Sequence, residues 1–210
     1  TAGAVIASVD RATNKITFEG TVSNVAANDV IYMQNSKDLE ITGLKAIFEA
    51  EELYGITRTG KSWLTPYTKS SFGAMSEDAL QEAIDGVEEY GGGKVNFIVC
   101  SRGVRRKLIT ALSAYRKTET LSLAGGYTAL SFNGIPVVAD RFCPKGTMYL
   151  LNTDDFGLHQ LCDWQWLEGE DGKILKQIPG KPVYTATLVK YAELMCYRPV
   201  GQGMLTGITE

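Results

Sequence analysis

Few side chains in this 210-residue sequence could make or break a covalent bond. Nucleophilic catalysis and transition-metal binding both depend heavily on histidine, and His159 is the only histidine present. Cys162 follows three positions later, but side chains at that spacing point to opposite faces of an extended strand, so the two cannot form a dyad without a bend. We therefore expect a structural histidine, with no catalytic residue, metal or cofactor.

The cysteines do not indicate a metal site or a disulfide framework. Cys100, Cys143, Cys162 and Cys196 lack the CxxC spacing of a zinc ribbon and the density of a small secreted domain. The pattern favours reduced thiols in an intracellular protein.

Charged residues concentrate on two consecutive predicted helices. Residues 77–90 follow the N-cap Ser76, bury a stripe through Leu80, Ile84 and Val87, and stop at glycines. Ser101 caps a second helix that runs to about residue 117. The first helix exposes Glu82, Asp85, Glu88 and Glu89, and the second exposes Arg102, Arg105, Arg106, Lys107, Arg116 and Lys117.

Paired acids can bind a metal ion, and clustered bases can bind phosphate. With no histidine near the acids and no aromatic residues between the bases, we interpret both as solvated faces or as salt-bridging surfaces within or between chains. A net charge of −3 gives no overall drive toward nucleic acid or anionic lipid. The sequence contains no run of about 18 apolar residues, the length that would indicate a membrane span, and no secretion signal precedes Val5.

The remaining elements are mostly short strands. Residues 5–9 and 15–19 predict a small antiparallel sheet, with a third strand at 30–33. A short helix follows Thr42. Residues 55–73 lack periodicity and predict a long surface loop, on which Trp63 and Tyr67 are candidates for a subunit contact.

The second half of the sequence predicts longer β-structure. Asn133-Gly134 is typical of a type I′ turn, so residues 128–132 and 135–140 read as a hairpin, and 147–152 as an apolar strand. Residues 183–197 form a long β-segment that ends at Arg198-Pro199.

The order of these elements resembles the major capsid proteins of tailed double-stranded DNA phages. The resemblance lies in LQEAIDGVEEYG, KVNFIVCS, FNGIPVVADR, GTMYLLN and AELMCYRPVGQGMLTGI, with NGIPVV and YRP the most telling, and spans about residues 76–208. It implies an α+β chain with the Hong Kong 97-like fold. A peripheral domain, with the spine helix and long strands, would comprise residues 75–117 and 180–210, and an axial domain residues 118–179. Residues 1–74 would be a β-rich segment and loop before the spine helix.

The resemblance also implies a function without chemistry. The chain would be a non-enzymatic capsid subunit that self-assembles as hexamers and pentamers into an icosahedral shell in the host cytoplasm. The shell would enclose double-stranded DNA through non-specific contacts, with a scaffolding or portal protein as a further partner. The candidate subunit contacts are Trp63, Tyr67, Glu82, Asp85, Glu88, Glu89, Arg102, Arg105, Arg106 and Lys107.

Two family features are missing from the sequence. The N-terminal arm and a complete extended loop are absent, and the sequence starts at Thr1 instead of Met, so we expect a piece of a longer protein. No Asn lies between Gly180 and Val200, where an isopeptide partner would be expected, so we predict no cross-linking.

Three other interpretations stay open at this point. An encapsulin compartment shares the fold and encloses protein cargo. A small hydrolase would place a nucleophile beside His159. A monomeric binding module would use Trp63, Tyr67 or the pair Trp164 and Trp166 as its anchor.

Overall fold

The computed structural model describes residues 4–10, 13, 15–23, 25–26, 29, 31–32, 36, 39–113, 119–122, 128–169 and 171–210. Of residues 119–122 and 128–129 it describes the backbone only. The chain divides into two units, Thr1–Ile41 and Thr42–Glu210.

The first unit contains the predicted small sheet. Strands β1 (Ile6–Asp10) and β2 (Lys15–Phe18) pair antiparallel, with Asp10 opposite Lys15. The Asp10 carboxylate accepts hydrogen bonds from the Thr13 amide (3.3 Å) and hydroxyl (2.6 Å). The pairing of residues 5–9 with 15–19 is thereby confirmed, while the third strand predicted at 30–33 lies partly outside the described residues.

The described part of the second unit is mixed α+β, as predicted. Its helices are α1 (Leu44–Glu49), α2 (Glu77–Gly91) and α3 (Arg102–Ser113). Its strands are β3 (Glu52–Leu53), β4 (Ile56–Thr57), β5 (Tyr67–Lys69), β6 (Phe97–Cys100), β7 (Glu119–Ser122), β8 (Thr128–Phe132), β9 (Ile135–Ala139), β10 (Met148–Leu151), β11 (Phe156–Trp166), β12 (Lys176–Gln177), β13 (Tyr184–Thr185), β14 (Leu188–Cys196) and β15 (Gly203–Leu205). Short 3₁₀ turns cover Ser62–Leu64, Thr153–Asp155 and Pro199–Gly201.

Seven of these strands form one mixed sheet in the order β5-β15-β10-β6-β9-β8-β7. The pairs β5–β15 and β6–β9 are parallel, and the other neighbours are antiparallel. Side chains alternate between the two faces of a sheet, so even-numbered residues of β6 and β10 face one way and odd-numbered ones the other. Both faces are covered, but by different elements.

Helices α2 and α3 cover the first face of the sheet. Their buried residues Leu80, Ile84, Val87, Val104, Leu108 and Leu112 form one core cluster with Ile98, Val137, Met148, Leu150 and Leu205 of the strands. On the other face, Phe48 of α1 packs against Tyr149, with 5.2 Å between ring centroids, and against Leu151 and Met204.

Local signals determine the ends of α2. The Ser76 hydroxyl accepts a hydrogen bond from the Ala79 amide (3.1 Å), and Gly92 ends the helix in the left-handed conformation at φ +63°. The chain also approaches closely here, because a Cβ at Gly91 would overlap the backbone of Val200. The predicted helix at 77–90 and its buried stripe are confirmed.

Helix α3 begins as predicted. The Ser101 hydroxyl accepts a hydrogen bond from the Val104 amide at 3.2 Å. The described helix ends at Ser113, so the predicted continuation through Tyr115, Arg116 and Lys117 lies outside the described residues.

The Asn-Gly hairpin is also confirmed. Asn133 and Gly134 have φ values of +49° and +81°, the pair of positive angles that a type I′ turn requires. This turn aligns Phe132 with Ile135 and Leu130 with Val137.

The loop predicted at residues 55–73 is wrong in part. This stretch holds β4, a 3₁₀ turn and β5, and β5 forms an edge of the seven-stranded sheet beside β15. A three-residue strand is too short to show periodicity, and its partner lies at residues 203–205, so no local pattern predicts it.

A second β-structure lies outside the seven-stranded sheet. Strands β11 and β14 pair antiparallel as a two-stranded ribbon, with the short pair β12 and β13 between them in sequence. The division of residues 75–210 into a peripheral domain (75–117 and 180–210) and an axial domain (118–179) stays a prediction. The seven-stranded sheet takes strands from residues 75–117, 118–179 and 180–210 alike.

Candidate functional site

The β11–β14 ribbon exposes large apolar side chains along most of its length. Leu161 is 87% exposed and Trp164 is 64% exposed. The other exposed apolar residues of the ribbon are Leu158, Trp166, Leu188 and Tyr191. Single exposed apolar side chains are ordinary, but contiguous ones can mark an interaction site, so the ribbon is a candidate contact surface.

One end of the ribbon is anchored to the rest of its unit. Phe156 and Leu194 pack against the buried residues Ile47, Leu53 and Leu64. The Tyr54 hydroxyl donates a hydrogen bond to the Leu194 carbonyl (3.0 Å) and accepts one from the Cys196 amide (2.9 Å). This anchored end is therefore held by both packing and hydrogen bonds.

The apolar face of the ribbon continues outward from this anchored end. The pairing register of β11 with β14 shifts at two places, and at each place the extra residue lies in β11. The side chains of β14 therefore alternate regularly between the two faces of the ribbon. Leu188 consequently lies on the same face of β14 as Leu194, and Trp166 is directly opposite Leu188. The face that is packed near Leu194 is thus open to solvent near Leu188.

A buried amide links this end of the ribbon to the seven-stranded sheet. Gln202 is fully buried, accepts a hydrogen bond from the Asn152 amide (2.8 Å) and donates to Asp155 (3.2 Å) and to the Arg198 carbonyl (3.3 Å). Asp155 also pairs with the Arg198 guanidinium at 3.3 Å. Gln202 lies within the segment that resembles capsid proteins, but no sequence signal indicates its role, because its partners Asn152 and Asp155 are distant in the sequence.

Polar groups order the exposed part of the ribbon. Lys190 pairs with Asp163 at 3.0 Å, and its ammonium group lies 5.8 Å from the centroid of the Trp164 ring. The hydrogen bond from Lys190 lowers the pKa of Asp163 below its ordinary value.

His159 lies on the same ribbon and contacts a phenol. Its Nε2 is 2.6 Å from the Tyr197 hydroxyl, and both residues are exposed. A Cβ at Gly157 would overlap that hydroxyl, so the glycine makes room for the Tyr197 ring.

The predicted opposite orientation of His159 and Cys162 is wrong. The extra residue between Gln160 and Cys162 changes the alternation, so His159 lies opposite Glu193 and Cys162 opposite Tyr191, on one face. Two positions along a strand separate their backbones by roughly 7 Å. Among the described residues the His159 ring bonds to the Tyr197 hydroxyl, and no hydrogen bond joins it to Cys162.

The buried thiols are poor nucleophiles. All four cysteines lie within the described residues and are free thiols. Burial raises the pKa of Cys100 to about 12 and the pKa values of Cys143 and Cys196 to about 11. Since the thiolate is the reactive form, these three side chains are unreactive near neutral pH.

The charged faces of α2 and α3 are exposed as predicted. Glu82 pairs with Lys69 of β5 at 2.9 Å, and Asp85 accepts a hydrogen bond from Gln81 at 2.7 Å. Among the described residues, no salt bridge joins the predicted α2 acids (Glu82, Asp85, Glu88, Glu89) to the predicted α3 bases (Arg102, Arg105, Arg106, Lys107). The two faces therefore do not neutralise each other within this part of the chain.

The two aromatic contact candidates differ. Trp63 is 55% exposed on a 3₁₀ turn. Tyr67 is half-buried against α2, with its hydroxyl 2.9 Å from the position that a Cβ at Gly86 would take and its ring 6.1 Å from that of Tyr90. Tyr67 thus already packs against its own chain.

A shallow groove of about 620 Å³ adjoins α1. Its lining includes Arg58, whose guanidinium donates hydrogen bonds to the carbonyl oxygens of Ala46, Ile47 and Phe48 and so caps the end of that helix. No motif or periodicity in the sequence indicates this role of Arg58.

Within the described ranges, no three His, Cys, Asp or Glu side chains cluster as ligands for a metal ion. No helix in the described part of the chain has the length and apolar character needed to cross a membrane.

Comparison with known proteins gives structural likenesses alone. No family model matches the sequence, and no curated protein matches it significantly. The cyanophage A-1(L) capsid subunit is similar over 81% of this chain and 61% of its own, with a TM-score of 0.54 and 17% identity. An encapsulin from Synechococcus elongatus is similar over 78% of this chain and 59% of its own, with a TM-score of 0.50 and 17% identity.

The chain spans about three fifths of the length of both solved structures. At this level of identity the likeness concerns the fold and not the function. The mixed sheet, the two helices on its first face and the two-stranded ribbon thus belong to a chain with the Hong Kong 97-like fold of capsid and encapsulin shell proteins.

Proposed function

We propose that this chain is a structural subunit of a closed protein shell, the major capsid protein of a tailed phage or prophage. The observation that carries the proposal is the apolar face of the β11–β14 ribbon, which runs from packed at Leu194 to exposed at Leu188 and Trp166. The Hong Kong 97-like fold supports the same conclusion.

The occupant of the ribbon face is a second copy of this chain. In a shell built from one polypeptide, every subunit edge meets another copy, so each exposed apolar strip is repeated at every contact. Burial of Trp164, Trp166 and Leu188 would supply the hydrophobic part of that contact, since aromatic residues dominate the energetics of interface centres.

The charged faces of α2 and α3 would orient one subunit relative to the next. The acids Glu82, Asp85, Glu88 and Glu89 of one subunit would face the bases Arg102, Arg105, Arg106 and Lys107 of another, with Trp63 at the margin. Such complementarity steers encounter and selects the register more than it adds affinity. Tyr67 contributes indirectly, through its packing on α2.

The remaining parts of the proposal rest on the resemblance to capsid proteins. The shell would form in the cytoplasm of a bacterial host, with a scaffolding or portal protein, and would enclose double-stranded DNA without base-specific contacts. Residues 75–117 and 180–210 would act as the peripheral domain and residues 118–179 as the axial domain. None of these steps assigns a bond-making role to a side chain.

The ribbon contact is tested by electron microscopy of the intact gene product. Replacing Trp164 and Trp166 by Ser should greatly reduce particle yield while leaving the circular dichroism spectrum of the soluble subunit unchanged. The matched control is Phe142→Ser, because Phe142 is 83% exposed but lies outside the ribbon. Particle yield equal to that of the wild type in the ribbon variant would contradict the proposal.

The charged contact is tested by charge reversal with rescue. Arg105→Glu should reduce particle yield at low salt, and so should Glu89→Lys. If the two faces meet between subunits, mixing the two variant proteins should restore more particles than either forms alone. Equal yields in the mixture and in the separate variants would exclude this pairing.

An encapsulin-type compartment is the second candidate. The likeness to the Synechococcus elongatus encapsulin favours it, with a TM-score close to that of the cyanophage capsid. The two candidates differ in contents: nuclease-treated particles that retain double-stranded DNA indicate a phage capsid, and particles that retain protein cargo without DNA indicate a compartment.

A further inference from the structure

The side chain of Glu210 reaches three separate parts of the second unit. Its carboxylate accepts a hydrogen bond from the Gly146 amide, in the turn before β10, at 2.7 Å, and another from the hydroxyl of Ser101. It also lies against Gly103 in the first turn of α3, where a Cβ would overlap the carboxylate.

The segment that carries Glu210 is joined to the same elements through its backbone. The Ile208 amide donates to the Gly146 carbonyl (3.0 Å), and the Thr209 amide donates to the Gly73 carbonyl (2.8 Å). The Ile208 side chain is buried in the core cluster beneath α2 and α3. Glu210 therefore completes a junction between β15, α3 and the turn before β10.

Ser101 connects this carboxylate to the helix. Its hydroxyl oxygen accepts a hydrogen bond from the Val104 amide, so its single hydrogen is available for the carboxylate. An ionised carboxylate accepts but cannot donate, which fits this arrangement. The negative charge also lies at the positive end of the α3 dipole.

We propose that Glu210 is an acid-sensitive clamp: its ionised carboxylate holds the segment after β15 against α3 and the turn before β10, and protonation releases that segment. Protonation removes the negative charge and so weakens the hydrogen bonds from the Gly146 amide and the Ser101 hydroxyl, because a charged acceptor binds a donor more strongly than a neutral one does. The clamp needs no partner subunit, so it is independent of the proposed shell function.

The charged groups around the clamp favour the ionised form. The hydrogen bond from Ser101 is the main cause of a lowered pKa of Glu210, followed by the Gly146 amide, with Lys145 and Arg106 adding positive charge. Cys100 and Cys143 also face the carboxylate, and their raised pKa values keep both thiols neutral near neutral pH.

The direction of the pH effect follows from the lowered pKa. The unfolded chain takes up the proton at an ordinary pKa of 4.5, and the folded chain does so at lower pH. The stabilisation is therefore fully present above pH 4.5 and disappears as the pH falls through the folded-state pKa.

The test compares amide hydrogen exchange in wild type and Glu210→Gln. At neutral pH the variant should exchange the Gly146, Ile208 and Thr209 amides roughly three- to tenfold faster, as expected for loss of a charge-assisted, partly exposed hydrogen bond. Below pH 4.5 the difference in exchange rate between wild type and Glu210→Gln, corrected for intrinsic exchange, should become smaller. The matched control is Glu49→Gln, which removes a partly exposed carboxylate of α1 that pairs with Lys45 at 3.7 Å.

A second variant opens the clamp without changing its charge. Gly103→Ala places a methyl group where the Glu210 carboxylate lies, and should speed exchange at Gly146 as much as Glu210→Gln does. Alanine has a higher helix propensity than glycine, so the propensity change alone would stabilise α3 and slow the exchange. Unchanged exchange in either variant at neutral pH, or a difference that stays constant across the pH series, would overturn the proposal.

Discussion

The seven-stranded sheet and the β11–β14 ribbon contain similar apolar residues but bury them to different extents. In the sheet, Ile98 and Leu150 are fully buried under α2 and α3, whereas on the ribbon Leu161 and Trp164 are mostly in solvent. The sheet closes its core within one chain, and the ribbon leaves its apolar face open beyond the anchored end. Hydrophobic residues in a strand therefore do not by themselves indicate which side chains the folded chain buries.

The largest contrast is expected from truncating one leucine in each region. Leu150→Ala leaves a cavity between β10 and the two helices and should lower the free energy of unfolding by about 2–5 kcal/mol. Leu161→Ala removes an exposed side chain and should change it by less than about 0.5 kcal/mol. Urea denaturation of the two variants measures both values, and equal losses would contradict the distinction.

A smaller effect is expected where the two regions are joined. Gln202→Leu leaves the Asn152 amide without its acceptor and removes one hydrogen bond from the Asp155 carboxylate, which keeps Arg198, and should cost about 1–3 kcal/mol. The control Gln165→Leu alters an exposed glutamine of the ribbon and should be nearly neutral. The same denaturation experiment compares them. A neutral Gln202→Leu would show that this link between sheet and ribbon contributes little to stability.

The smallest effect is expected at the anchored end of the ribbon. Tyr54→Phe removes the hydroxyl between the Leu194 carbonyl and the Cys196 amide and should cost about 1 kcal/mol. Hydrogen exchange at the Cys196 amide should become faster. Tyr197→Phe, which removes the hydroxyl beside His159, should leave that amide unaffected.

Tyr54 also predicts an alkaline effect. Burial raises its pKa above 10.0, so the unfolded chain loses the phenolic proton at lower pH than the folded chain does. The contribution of the protonated Tyr54 hydroxyl to the free energy of unfolding is therefore complete below pH 10.0 and is lost as the pH rises through the folded-state pKa. Urea titrations of wild type and Tyr54→Phe should converge at alkaline pH, and a constant difference would contradict this assignment.

Features with a local cause could be predicted from the sequence. Ser76 and Ser101 identify the starts of α2 and α3, and Asn133-Gly134 identifies the hairpin, because each of these residues acts on groups within a few positions. The resemblance to capsid proteins gave the fold, which the structural likeness confirms.

Features that depend on distant pairing could not be predicted. Strand β5 has no pattern of its own, and the extra residue between Gln160 and Cys162 places His159 and Cys162 on one face against expectation. The exposed face of the ribbon could not be predicted either. Trp164 and Trp166 are possible anchors by residue type, but only the register with β14 shows that Trp166 lies opposite Leu188, on the face that is packed at Leu194. The contacts of Arg58 and Gln202 likewise arise from tertiary neighbours.

The position of β15 has a consequence for biosynthesis. Strand β15 (residues 203–205) lies between β5 and β10 in the sheet. Strand β10 therefore lacks this neighbour until the ribosome has released residue 205. A nascent chain that stalls earlier presents the bare edge of β10, a template for misdirected strand pairing. Translation that stops before residue 203 should thus yield aggregation-prone polypeptides instead of nearly native ones.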